Sequence, residues 1–128
     1  MLDHIGVNVS DYESAKAFYV AALAPLGYTL AMEPVPNVGG FSMGDRGPQG
    51  AFPFWIAEGR GEPTGAHIAF TAPDRATVDA FHAAALAAGG TDNGAPGIRE
   101  IYHPNYYGAY VLTADGVNLE AVCHVPGD

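Results

Sequence analysis

Two rhythms alternate along this chain. From Asp3 to Val9 the aliphatic side chains Ile5, Val7 and Val9 take every second position and His4, Gly6 and Asn8 the others, the period-two signature of a half-buried strand. From Ser10 the period changes. Ala15, Phe18, Tyr19, Ala22, Leu23 and Leu26 recur at helical spacing, with Ser10 and Glu13 placed as a capping box and Gly27 as a stop. Tyr28 to Glu33, Gly40 to Gly44 and Ala51 to Ala57 then read as short strands, separated by Pro34, Pro36 and Asn37 and by the loop from Asp45 to Gly50.

The pattern then begins again. At an offset of 67 − 4 = 63 residues, HIGVNVSDYESAKAFYVAALAPLG lies over HIAFTAPDRATVDAFHAAALAAGG without a gap. A period of that length holds several strands around one helix, unlike the shorter repeats of solenoids. In the second copy Ile68 and Phe70 oppose His67, Ala69 and Thr71, and Asp74 caps a helix with Val78, Phe81, His82, Ala85 and Leu86 in one phase. Gly89 and Gly90 end that helix. Strand-like pieces follow near Ile98 to Tyr102, Tyr106 to Thr113 and Val117 to His124, the last two joined across Asp115-Gly116. The order βαβββ, twice, predicts an α+β protein of two modules, about 1–62 and 63–128, in one domain spanning 1–128. Each helix covers the outer face of a curled sheet, which leaves a concave inner face.

Charge and cysteine content restrict the partners. Five Lys and Arg stand against fourteen Asp and Glu, a net charge of −9, so phosphate backbones and anionic membrane surfaces are repelled and neither nucleic acid nor membrane is an expected partner. No apolar run approaches the roughly 20 residues that span a bilayer, and the opening MLDHIGV lacks the basic region of a secretory signal, so the expectation is a soluble cytoplasmic protein. Cys123 stands alone in the sequence, which excludes an intrachain disulfide and a thiolate zinc cluster. A metal site here must use His and carboxylate.

Such groups share one face. His4 and His67 occupy equivalent places at the start of equivalent strands, both opposite the aliphatic side. In the last strand Leu119, Ala121 and Cys123 alternate against Glu120, Val122 and His124, which puts Glu120 on the inner side. Gly6 and Ala69, two residues beyond each His, leave room for a ligand. Two imidazoles and one carboxylate with open positions form the facial arrangement associated with non-haem Fe(II), which Mn, Ni, Co or Zn also accept. His82, at the border of a helix stripe, reads as structural. Arg99 is one of only five basic residues and the type of group a substrate anion needs. Tyr102, Tyr106 and Tyr107, with Phe52, Phe54 and Trp55, are available to line an apolar pocket. The orientation of Tyr110 depends on the following turn: a two-residue loop pairs it with Ala121 and faces it outward, a three-residue loop pairs it with Glu120 and faces it inward.

The LDHIGVNVSD opening, the AFYVAALAPLG helix, the HIAF strand and the closing YVLTADGVNLEAV resemble the vicinal oxygen chelate superfamily, which contains glyoxalases, bleomycin-resistance proteins, fosfomycin-resistance enzymes, methylmalonyl-CoA epimerases and extradiol dioxygenases. The resemblance covers essentially the whole chain. It implies His4, His67 and Glu120 as metal ligands. Glyoxalase I-like members add a carboxylate whose place here is 120 − 63 = 57, Ala57, with Glu58 one residue away and so on the other face unless a bulge intervenes. Extradiol dioxygenases carry a His, and a Tyr about ten residues before the Glu; His103 and Tyr110 match that spacing loosely, with Ala109 and Ala114 departing from the pattern. The function implied is a metal-dependent enzyme that chelates a small-molecule substrate through vicinal oxygens. His103 and Tyr110 are its acid/base candidates, lyase or isomerase chemistry is preferred over ring cleavage, and the assembly is a homodimer. A metal-free ligand binder of the bleomycin-resistance kind is the alternative.

Overall fold

The computed structural model describes residues 4–43, 52–59 and 66–127. The elements run β1 (Ile5–Val9), α1 (Tyr12–Leu23), β2 (Tyr28–Met32), β3 (Val38–Met43), β4 (Phe54–Glu58), β5 (His67–Thr71), α2 (Arg75–Ala87), β6 (Thr91–Ile98), β7 (Tyr107–Leu112) and β8 (Asn118–Cys123). They form two mixed four-stranded sheets of the same topology, β1-β4-β3-β2 and β5-β8-β7-β6. In each, the opening strand runs parallel to its neighbour and the others pair antiparallel. The fold is the repeated βαβββ architecture expected from the offset. Arg46, Arg60, Ala51 and the loop from Asp45 to Gly50 lie outside the described residues.

Helix starts are set by carboxylates. Asp74 caps α2, accepting from the Thr77 N–H at 2.7 Å. The cap of α1 is Asp11 and not Ser10: Asp11 is extended, with φ −137°, and accepts from the Ser14 N–H at 2.8 Å. The carboxylate is the stronger acceptor for the exposed N–H groups of a first turn. Ser10, displaced from the cap, donates its hydroxyl to Asp115 at 2.7 Å and so ties the first module to the β7–β8 turn. The stops are glycines with positive φ, Gly27 at 85° after a 3-10 turn and Gly89 at 104°.

One strand departs from its expected place. In place of Ile98 to Tyr102, β6 runs Thr91–Ile98, a TDNGAPGI segment with two register shifts against β7. Its Gly, Pro, Asn and Asp are depleted in strands, so propensity conceals it. An edge position tolerates Pro96 and the irregular pairing. Past Ile98 the chain turns back, with the Tyr102 N–H bonded to Arg99 O and the Arg99 N–H to Tyr106 O.

The core lies on the helix side of both sheets. Val7, Val9, Phe41, Phe54 and Ile56 from the first sheet, and Ile68, Phe70, Val111, Leu119, Ala121 and Cys123 from the second, are buried with Tyr19, Leu23, Val78, Phe81 and Ala85 of the helices. The two helices pack on each other. Phe70 of β5 joins the sheets, edge-on to Phe54 at 5.4 Å and to Tyr28 at 5.2 Å between ring centroids. Of the aromatics considered for a pocket, Phe54 is buried in this core and also lines the cleft beside His4, whereas Tyr107 belongs to the outer side and donates its hydroxyl to Asp79 of α2 at 2.7 Å, under the Arg75 guanidinium. Leu86 falls outside the buried stripe and is exposed. Among the described residues no helix is long and apolar enough to cross a membrane.

Candidate functional site

Strand register lines up the inner face of the second sheet. Ala69, Glu120, Tyr110 and Gly94 lie abreast across β5, β8, β7 and β6. The turn from β7 to β8 decides this. Leu112 pairs with Asn118, and the Thr113 N–H bonds Val117 O at 3.0 Å, so three residues, 114–116, form the loop, with Gly116 at φ 78°. Of the two turn lengths weighed for Tyr110, this is the one that faces it inward beside Glu120.

Glu120 is the centre of the cluster. It is 1% exposed, yet its carboxylate meets no Lys or Arg among the described residues. One oxygen, Oε2, lies 2.8 Å from His67 Nε2; the other, Oε1, accepts from the Tyr106 hydroxyl. Space for that carboxylate comes from Gly108, where a Cβ would stand 3.2 Å from Glu120 Oε1. The His67 side chain is 52% exposed and opens the site to solvent, with its ring edge-on to Tyr110 at 6.1 Å. Burial, followed by the hydrogen bond to Glu120, pushes the Tyr106 phenol far above its ordinary range. Burial and the Glu120 charge raise Tyr110 as well. Both phenols therefore remain protonated donors at neutral pH.

The other sequence candidates are placed as follows. His103 Nε2 lies 2.8 Å from His124 Nδ1 with the rings stacked at 5.0 Å, and both imidazoles stand edge-on to Tyr106 at 5.6 and 5.4 Å. His103 thus reaches Glu120 only through Tyr106. His82 bonds Asp92 at 2.9 Å on the outer side. Glu58 pairs with Val9 in a regular β1–β4 ladder and accepts from the Tyr12 N–H at 3.1 Å at the start of α1; Ala57 holds the inner position. His4, at the entry to β1, lines a cleft of about 460 Å³ with Met43, Ala69, Thr71 and Pro73. Among the described residues no three His, Cys, Asp or Glu side chains gather into a metal-holding group, so His67 and Glu120 come together and His4 does not join them.

Tyr106 and His124 are site residues whose roles the sequence reading missed. Parity puts Tyr106, Gly108 and Tyr110 on one face, and the three-residue turn then sets that face with Glu120, so the first was within reach once the turn length was known. His67 Nε2 and Glu120 Oε2 suit a divalent transition metal in donor type, a borderline nitrogen beside a hard oxygen. A buried carboxylate with no Lys or Arg beside it among the described residues is also the charge arrangement that a cation relieves.

Comparison with known proteins bears on this geometry. The family model of the Glyoxalase/Bleomycin resistance protein/Dioxygenase superfamily matches residues 1–121. A solved glyoxalase/bleomycin resistance protein from Albidiferax ferrireducens is 30% identical, with 94% of this chain and 97% of that chain covered and a TM-score of 0.77. A glyoxalase-related enzyme from Fulvimarina pelagi, 16% identical, has a TM-score of 0.73 over 96% of this chain and 87% of that one. A family enzyme from Burkholderia phytofirmans, 18% identical, has 0.68 over 97% and 98%. These two show likeness of fold alone. Among curated proteins none matches the chain.

Proposed function

The chain belongs to the glyoxalase/bleomycin resistance protein/dioxygenase superfamily, and from that premise we propose that it is a metal-dependent enzyme acting on a small molecule held through two adjacent oxygens. The observation that carries the reading is Glu120, buried and paired with His67 at 2.8 Å on an inner face, with no Lys or Arg beside it among the described residues. A divalent ion (Fe, Mn, Ni, Co or Zn) bound by His67 and Glu120 would supply Lewis acidity toward the substrate oxygens. Tyr110 and Tyr106 hold protons beside those ligands and donate to a developing oxyanion; the His103–His124 pair against Tyr106 exchanges protons with solvent at the rim. Protonated phenols suit proton transfer at carbon and oxygen, which favours lyase or isomerase chemistry over ring cleavage.

The third ligand in this proposal is His4 of a second copy. Among the described residues, strands β1 and β5 end their sheets with one neighbour each and are not hydrogen-bonded to one another, which leaves both edges for a partner chain to pair with in this proposal. A homodimer that sets β1 of one copy beside β5 of the other brings the missing imidazole to His67 and Glu120. Metal analysis of untagged protein tests the reading. About one equivalent per chain is expected, lost in His4→Ala, His67→Ala and Glu120→Ala and kept in His82→Ala. Less than about 0.2 equivalents, with no uptake on titration, sinks it and leaves the metal-free binder. Refolding His4→Ala together with His67→Ala assigns the chains: mixed dimers regain one intact site when His4 acts across the interface and none when it acts within its own chain.

A further inference from the structure

One cation shares the inner face with Glu120. The Arg99 guanidinium lies over the Tyr110 ring, 5.4 Å from its centroid, and Tyr110 is the direct cross-strand neighbour of Glu120. Backbone without side chains seats it. A Cβ on Gly94 would stand 3.2 Å from Arg99 Nη2 and 2.8 Å from the Tyr110 ring, and a Cβ on Gly97 3.0 Å from Nη1. Gly97 pairs across the ladder with Gly108, the glycine beneath the Glu120 carboxylate. The glycines therefore make room for the Arg99 guanidinium and the Tyr110 ring on one side and for the Glu120 carboxylate on the other.

Arg75 lies over Tyr107 on the outer side, so among the described cations Arg99 alone stands beside the Glu120 cluster. Lys16 is committed to Glu13 and Glu33, at 3.4 and 3.2 Å. Arg99 donates to Ala95 O at 2.7 Å and meets no carboxylate among the described residues, in a protein of net charge −9. A guanidinium presents five donors, and the one donated to Ala95 O leaves N–H groups that match a carboxylate. An acidic molecule repels anions at long range, so an anion that enters this groove needs a local attractor. Arg99 is the only described cation on this face.

We infer that Arg99 is a specificity-determining residue that binds a carboxylate of the substrate, so that the ligand is a small organic acid with adjacent oxygens at one end and a carboxylate at the other. The inference rests on His67 and Glu120 as the chelating end of the groove. It goes further in stating the charge of the far end.

Matched probes test this. Malate and 2-hydroxyglutarate are titrated, each against the amide of its distal carboxylate, into wild type, Arg99→Gln and Arg99→Lys, with zinc and after chelation, by calorimetry; circular dichroism verifies that each variant is folded. The expected result is at least tenfold tighter binding of one acid than of its amide in wild type. Arg99→Gln abolishes that preference by weakening the acid and leaving the amide unchanged, and Arg99→Lys restores part of it. Equal affinity for acid and amide in wild type overturns the inference, as does equal weakening of both in Arg99→Gln or no binding of any probe at 10 mM. The metal reading fails separately. Acid preference that depends on Arg99 in a protein that takes up no metal upholds Arg99 and removes the metal, whereas zinc uptake without acid preference does the reverse.

Discussion

A single proton links the two halves of the His67–Glu120 pair. At 2.8 Å His67 Nε2 donates to Glu120, whereas coordination of a metal needs the lone pair of that nitrogen. Metal binding at Nε2 is thus expected to break the His67–Glu120 hydrogen bond, with the ring proton carried on Nδ1, measurable as a shift of the His67 ring signals in NMR on zinc titration. Tyr106→Phe removes the donor to a buried carboxylate oxygen and should cost about 1–3 kcal/mol in urea denaturation of metal-free protein. The caps respond to acid. Bonds to the Thr77 hydroxyl and N–H hold the Asp74 carboxyl below its ordinary value. A depressed native value means stability present above the unfolded carboxylate range near pH 3.9 and lost as pH falls through the native value. Asp74→Ala should accordingly be less stable than wild type at pH 7, with the gap closing below about pH 4 in thermal melts.

At the scale of elements, the β7–β8 turn matters most for the site. Its three residues set Tyr110 opposite Glu120, and Gly116 within it sits at φ 78° with no atom within 4 Å of a Cβ placed there. Backbone conformation alone therefore resists substitution. Gly116→Val should cost about 1–2 kcal/mol and Gly116→Asn far less, because a β-branched residue is poorly tolerated at positive φ. The faces of β1, β5 and β8 were legible as alternation; that of β7 waited on the turn length, and β6 was not legible because bulges and Gly-Pro content erase a period of two.

For the whole molecule, Phe70 is the shared element of the two halves, in ring contact with Phe54 and Tyr28 across the junction. Phe70→Ala should cost about 3–5 kcal/mol by leaving a cavity between the sheets. One cooperative transition at lower denaturant is expected; two separate transitions would mean that the halves fold independently. Sedimentation at micromolar concentration checks the proposed dimer, and a monomer would withdraw the open edges of β1 and β5 from the argument for a shared site.

The internal offset and the alternation within each copy already determined the architecture, both helices and the inner placement of His67 and Glu120, because burial of a sheet face imposes a period that a single sequence displays. That Asp11 and not Ser10 caps α1, that Tyr106 serves Glu120, and that Arg99 lies over Tyr110 were decided only in three dimensions. Each depends on a turn length, a bulge or a ladder register, which shifts which residues meet without altering the pattern of apolar positions. The separation of His4 from the other two candidates has the same origin. Equivalent positions in two repeats are equivalent within their own sheets, and how one sheet edge meets the next is set by packing between modules or between chains, which periodicity along one strand does not encode.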